Sequence, residues 1–134
     1  MIQTEVQVMF FDTDCAAVVH NIAYLRMIEV NRTLLAEQLG MGFAAMAATQ
    51  LYPVVVRTEI DYKSPAKLSD KLIIEGRLES IERIRFWCAF TVRRPADGAL
   101  IVKARQMVAL VQMPAGKPVR LPSDWTVKYA HLRK

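Results

Sequence analysis

The chain has 134 residues, 53% of them hydrophobic and 23% charged. That length suits one domain with one sizeable core, and that composition excludes disordered, collagen-like and low-complexity classes. Its 18 Lys+Arg against 13 Asp+Glu leave a formal charge of +5, a surplus that suits an anionic partner without naming one.

Ile2, Thr4, Val6, Val8 and Phe10 alternate with Gln3, Glu5, Gln7 and Met9, which predicts a half-buried strand over 2–10. After the segment FDTDCAAVVHN the period changes. Tyr24, Met27, Ile28, Leu34, Leu35 and Leu39 share one helical face, opposite Arg26, Thr33 and Glu37. Asn21 is placed as N-cap and Gly40 as the stop, so the pattern predicts one helix of about five turns. Residues 41–53 fit either a short helical turn or a packed loop, ended by Pro53.

Beyond Pro53 everything reads as strand. Val54–Tyr62, Lys71–Ile81 and Ile84–Arg93 alternate, with SPAKLSD as a turn and Pro95-Ala96-Asp97-Gly98 as hairpin chemistry. A last strand runs from about Ala99 to Gln112 and is apolar on both faces. Pro114, Gly116, Pro118 and Pro122 mark an irregular tail from about residue 113, ending in the basic stretch Lys128–Lys134. Five strands and one amphipathic helix predict an α+β fold over residues 1–134. In it a five-stranded antiparallel sheet wraps one long central helix, the hot-dog arrangement. One helix cannot cover both apolar faces of 100–111, so a second copy is expected against the sheet.

Glu5 stands where a signal peptide needs its apolar core. The apolar neighbourhood Phe43–Val56 is broken by Thr49, Gln50 and Pro53 and falls short of the ~20 residues that span a bilayer. Two cysteines, Cys15 and Cys88, make no disulfide framework, and with His20 and His131 they show no zinc-ligand spacing. The expectation is a cytoplasmic chain with no membrane partner. Gly40–Ala45 imitates a dinucleotide fingerprint but follows a helix rather than a strand. Basic residues are scattered without interleaved aromatics, against nucleic acid as a partner.

Reactive groups concentrate between the first strand and the helix: Asp12, Asp14, Cys15, His20, Asn21 and Tyr24. A carboxylate near a helix N-terminus is held as an anion by free N–H groups, and the same groups can bind the oxygen of a polarised carbonyl. That pair is a sufficient kit for hydrolysing an activated acyl group such as a thioester. Turn and capping chemistry explains the same residues equally well, Tyr24 fits a core position, and Glu29 can pair with Arg32. Spacing alone leaves both readings open.

FFDTDCAAVVHNIAYLRMIEVNR resembles the signature of the 4-hydroxybenzoyl-CoA thioesterase family of hot-dog proteins. VVVRTEIDYKSPAKLSDKLIIEGRLESI is similar to that family's following strands, with Arg57, Tyr62, Pro65 and Asp70 in matching places, and the likeness covers roughly residues 5–112. The resemblance implies that Asp14 is the catalytic carboxylate and that the N–H near Asn21 polarises the thioester carbonyl. It implies pocket positions for His20 and Tyr24, with His20 counted among the catalytic residues, and places Glu29 near the acyl part. Lys63, Lys67, Arg83 and Arg85 become candidates for the coenzyme A phosphates. It further implies a homo-oligomer, a dimer or dimer of dimers up to a homotetramer, with sites between subunits. One position departs: Ala17 stands where the family has glycine, at a point that calls for freedom in φ.

The expected activity is hydrolysis of a small aryl-CoA or short-to-medium-chain acyl-CoA, with no cofactor beyond the coenzyme A of the substrate. The alternatives are a hot-dog dehydratase of hydroxyacyl thioesters, which needs His20 as its base, and a non-catalytic acyl-thioester-binding protein.

Overall fold

The computed structural model describes residues 1–134. Strand β1 (Ile2–Gln7) leads through a 3₁₀ turn (Phe10–Asp12) and a tight hairpin to helix α1 (Asn21–Gln38). A short helix α2 (Phe43–Thr49) follows, and then the strands β2 (Leu51–Tyr62), β3 (Lys71–Ile81), β4 (Arg85–Arg94) and β5 (Ala99–Gln112). A two-residue β6 (Lys117–Pro118), a single helical turn α3 (Trp125–Lys128) and a 3₁₀ turn (Ala130–Arg133) complete the chain. The sheet runs β1-β3-β4-β5-β2, antiparallel throughout, with β6 on the end of β5. This is the curled antiparallel sheet around one long helix that the patterning predicts, with β6 as an unforeseen sixth strand.

The long helix buries Ala23, Tyr24, Met27, Ile28, Asn31 and Leu35 against the sheet. Leu34, expected on that face, is exposed, because Asn31 lies on the buried stripe instead. From α1 the Asn31 Nδ2 donates to Ile2 O at 3.0 Å, Thr4 Oγ1 at 3.1 Å and Ile74 O at 3.0 Å. One buried amide thus fastens the helix to β1 and β3. Gly76 makes room for it, since a Cβ there would collide with Asn31 Oδ1.

Four sequence expectations change. The turn over Ser64–Asp70 does not join neighbouring strands: β2 pairs with β5 at the far edge, so this segment crosses to β3 over the start of α1. What holds it there is Ala66, fully buried, whose carbonyl accepts from Val19 N at 2.8 Å. Pro53 does not end an element; α2 stops at Gln50, which turns left-handed at φ 58°, and Pro53 lies inside β2 opposite Leu110. An edge strand tolerates its missing N–H. Bulges at Val56, Glu79 and Ile101 break simple alternation, so Val55 rather than Val56 pairs with inward-facing Val108. Finally, the basic tail is folded, with Leu121, Trp125, Tyr129 and Leu132 buried in the core.

Uncovered apolar surface is not centred on β5, which is an interior strand. The most exposed large apolar side chains are Phe10 and Phe11 in the 3₁₀ turn, Ile22 and Phe43, with further exposed ones along the β2 edge and on α1 at Val54, Val55, Val56, Val30 and Leu34. No helix is long and apolar enough to cross a membrane.

Candidate active site

Residues 12–20 form a small hairpin that ends where α1 begins. His20 N–H donates to Asp12 O at 2.9 Å, Thr13 bridges Val19, and Asp14 N–H donates to Val18 O at 2.9 Å. The turn closes with Ala17 at φ 62°, a left-handed conformation that glycine adopts freely and alanine at a cost. The departure at position 17 therefore leaves the hairpin geometry in place and loads it with strain.

Asp14 lies at the exposed tip of this hairpin. Its Oδ1 accepts from Ala16 N at 2.8 Å in an Asx turn, which engages one of its two oxygens. Two residues of extended chain separate it from the level of His20, about 7 Å. That separation is one of backbone level along the hairpin, and the Asp14 carboxylate itself is exposed to solvent. Asp12, by contrast, is buried, and its Oδ2 accepts from Met9 N at 2.9 Å, so it is spent on the 3₁₀ turn.

The N-cap of α1 is His20, not Asn21. Its Nδ1 accepts from Ala23 N at 3.1 Å, and its Nε2 lies 3.3 Å from Phe11 O. Nδ1 accepting fixes the tautomer in which Nε2–H donates, so both ring nitrogens serve the backbone. Asn21 is the first residue of the helix and is exposed. The Asn21 and Ile22 N–H groups have no intrahelical acceptor and point out of the N-terminus, where the helix dipole favours negative charge.

Asn21 lines a cleft of about 350 Å³ together with Val19, Tyr24, Tyr62, Lys63 and Ser64, while Asp14 and Lys67 are not among its walls. Tyr24 is 3% exposed and accepts from Ala66 N at 3.3 Å, so its hydroxyl ties the crossover to the helix. Burial pushes its phenol above the ordinary value, opposed by the Ala66 N–H and the charge of Arg94. Lys63 stands at the cleft and Lys67 pairs with Val18 of the hairpin; both are exposed.

Arg94 is the residue that pattern reading missed. It donates from Nη1 to Pro65 O at 3.1 Å and to Asp70 Oδ2 at 2.9 Å, and its Nε and Nη2 hold Asp97 at 3.0 and 2.9 Å. It latches the crossover that carries Lys63, Ala66 and Lys67 onto the β4–β5 hairpin. An arginine at the end of a strand gives no sign of this in the sequence, because Asp97 is three residues on but Pro65 and Asp70 come from a turn 29 and 24 residues away.

Arg83 and Arg85 lie elsewhere. They sit at the β3–β4 turn, seven residues along β4 from Val92, which is about 23 Å of strand and at the opposite end of the sheet from the cleft. Glu29 is also outside the cleft, eight residues along α1 from Asn21 and about 12 Å along the axis. Its side chain is 64% exposed and lies 3.8 Å from Arg32.

Glu29 marks the rim of a second, larger space. A cavity of about 660 Å³ lies between the second half of α1, α2 and the concave sheet, with Leu35, Met41, Met46, Val55, Phe86 and Cys88 among its walls. Arg32, Thr33 and Tyr52 add polar groups to the walls; Arg32 Nη1 donates to buried Gln106 Oε1 at 2.6 Å, and Gln106 Nε2 donates to Thr58 Oγ1 at 3.2 Å. Burial pushes the Cys88 thiol up to about 12, which keeps it neutral and unreactive. The volume and the apolar lining suit a small organic group.

The family model of the thioesterase-like superfamily matches residues 8–129. The acyl-CoA thioesterase YbgC of Haemophilus influenzae is 30% identical over 129 residues, 96% of this chain and 93% of that protein. The putative acyl-CoA thioesterase YneP of Bacillus subtilis is 26% identical over 133 residues, 97% of this chain and 96% of that one. Among solved structures, the 1,4-dihydroxy-2-naphthoyl-CoA thioesterase Slr0204 of Synechocystis superposes with a TM-score of 0.84 at 22% identity, covering 99% of this chain and 98% of its own. On sequence and on fold together, the chain belongs to the thioesterase-like superfamily.

Proposed function

We propose that the chain is an acyl-CoA thioesterase, acting on a small aryl-CoA or a short-to-medium-chain acyl-CoA. What supports this reading is the hairpin register, which leaves a backbone gap of two residues, about 7 Å of extended chain, between Asp14 and the start of α1, whose first N–H groups have no intrahelical acceptor. A thioester carbonyl set in that gap directs its oxygen at the Asn21 and Ile22 N–H groups, which stabilise the negative charge that develops on attack. Asp14 supplies the base that takes a proton from water, or itself attacks to give a mixed anhydride that water then cleaves. In both routes the carbon–sulfur bond breaks, coenzyme A leaves as the thiol, and the acyl group leaves as a carboxylic acid.

His20 serves this reading by capping: with both ring nitrogens engaged, it holds the hairpin and the helix start in register. The same engagement disfavours the dehydratase alternative, which needs that imidazole as a free base. Lys63 at the cleft, and Lys67 on the same crossover beside the hairpin, suit the phosphates of coenzyme A. Arg83 and Arg85 reach a phosphate at this cleft only from a neighbouring copy. An isologous pair, a dimer or a dimer of dimers, is also what the uncovered apolar strip on β2 and α1 favours. No cofactor enters the scheme, and the two free cysteines fit a reducing, cytoplasmic setting.

Asp14→Asn is the direct test. Asparagine can still accept from Ala16 N and keep the Asx turn, so the fold and coenzyme A affinity should survive while thiol release falls by orders of magnitude. Near wild-type turnover in that variant rules out Asp14 as the catalytic carboxylate.

A further inference from the structure

The crossover from β2 to β3 is bonded to each part of the proposed site. Its first residues, Lys63, Ser64 and Pro65, are walls of the cleft. Ala66 N–H donates to Tyr24 Oη on α1 at 3.3 Å, and Ala66 O accepts from Val19 N at 2.8 Å. Lys67 bridges Val18, whose carbonyl accepts from Asp14 N at 2.9 Å. The Asp14 hairpin therefore stands where residues 66 and 67 put it.

The two ends of the crossover have their own anchors in the backbone. Lys63 N and Ser64 N donate to Ile101 O at 2.8 and 3.2 Å, and Asp70 O accepts from Val8 N at 2.8 Å. Between them the segment is braced by Arg94. Its Nη1 donates to Pro65 O at 3.1 Å and to Asp70 Oδ2 at 2.9 Å, and the same carboxylate oxygen accepts from Lys67 N at 2.9 Å. Its Nε and Nη2 grip Asp97 at 3.0 and 2.9 Å, which fixes the plane of the guanidinium against the β4–β5 turn. A lysine ammonium carries the same charge but has no planar fork to span both sides. The charges of Arg94 and Asp70 are also felt at the Tyr24 phenol, a wall of the cleft.

We propose that Arg94 is a positioning residue for thioester hydrolysis: through Pro65 and Asp70 it sets residues 66 and 67, and through them the place of the Asp14 hairpin relative to the start of α1. The proposal rests on the acyl-CoA thioesterase reading. Arg94 itself touches no substrate. Removing its fork frees the middle of the crossover, while Lys63 keeps its bond to Ile101 O at the cleft. The loss then falls on the placement of the carboxylate and spares substrate binding. A misplacement of about 1 Å is enough to cost about 100-fold in rate.

The test is steady-state hydrolysis of benzoyl-, hexanoyl- and decanoyl-CoA, read as free thiol, by wild type, Arg94→Lys and Arg94→Ala. Both variants should lose about 100-fold in kcat, with KM within about three-fold of wild type. Alanine opens a space between Asp70 and Asp97, whose side chains are 25% and 53% exposed. Millimolar ethylguanidinium should fill it and recover much of the lost kcat in Arg94→Ala, where ethylammonium should not. Asp70→Asn keeps the side-chain shape and leaves Arg94 on Asp97. It should show the same split between kcat and KM, and it keeps the idea testable if the Arg94 variants fail to fold. Wild-type kcat in the folded variants, a loss carried by KM, or ethylguanidinium restoring the unfolding midpoint without kcat each overturns the positioning role. Cleavage of none of these thioesters by wild type overturns the thioesterase reading itself, and the positioning role falls with it.

Discussion

Gly76→Ala tests how α1, and with it the N-terminus that faces the cleft, is held to the sheet. Asn31 is 0% exposed, and its Nδ2 makes three hydrogen bonds to β1 and β3. A methyl group at position 76 lands on Asn31 Oδ1 and stands 3.0 Å from Phe90 Cδ1. The amide cannot stay where it is, and its flanks are core side chains that offer no free volume. Losing the bonds to the Ile2 and Ile74 carbonyls costs about 1 kcal/mol each, and forcing the methyl against Phe90 adds about another, so the expected loss is about 2–4 kcal/mol. Urea unfolding at fixed protein concentration reads it as a fall in midpoint with an unchanged slope. The decisive control is the same change in an Asn31→Ala background, where the space is already empty. There the cost of the methyl should drop below about 1 kcal/mol, a coupling of about 1.5–3 kcal/mol. If the two costs simply add, or if Gly76→Ala alone costs less than about 0.5 kcal/mol, Asn31 is not the fastener described here.

Ala17→Gly should stabilise the hairpin: relief of a left-handed alanine is worth about 1–2 kcal/mol, less about 0.5–1 for the freer unfolded chain, for a net gain of up to about 1 kcal/mol. A drop in midpoint on thermal unfolding would contradict the strain read from its φ of 62°. The Arg94 latch predicts a pH dependence. Hydrogen bonds from Arg94, then from Ala99 N, hold the Asp97 carboxyl below its usual range in the folded chain. Its stabilising contribution is complete above the unfolded carboxylate value of about 3.9 and is lost as pH falls through the lower folded value. Wild type should therefore be more stable than Asp97→Asn near neutrality, with the gap closing under acid. A gap that persists in strong acid would refute the latch.

Much of the fold is legible because its strongest signals are periodic. The alternation of Leu72, Ile74 and Leu78, and of Phe86, Cys88, Phe90 and Val92, survives intact as the inner face of β3 and β4. What periodicity could not show is where it breaks. A bulge at Val56 puts Val55 on the cavity side, and nothing in a run of three valines says which one is the extra residue. The crossover departs from expectation for a related reason: short connections favour neighbouring strands, but SPAKLSD is long enough to pass over α1, where Ala66 is buried and Val19 N and Tyr24 Oη are satisfied. Asn31 was invisible because a polar residue on an apolar stripe looks like a break in the stripe until its three acceptors are placed around it.

For the candidate site the division is chemical rather than geometric. Side chains that carry charge stand out in the sequence, so Asp14, Lys63 and Lys67 were picked out. Their proposed partner across the gap, however, is a pair of backbone N–H groups, and any residue at positions 21 and 22 provides those. What makes them available is the local arrangement: His20 caps through Ala23 rather than through Asn21 or Ile22, and the hairpin keeps Asp14 two residues short of the helix. A better carboxylate cap at position 20 would satisfy the same end of the helix with a fixed negative charge and oppose an oxyanion there. A neutral imidazole caps the helix without that charge, and on this argument its value at position 20 is electrostatic: it completes the hydrogen bonding of α1 while leaving the positive end of its dipole for the substrate.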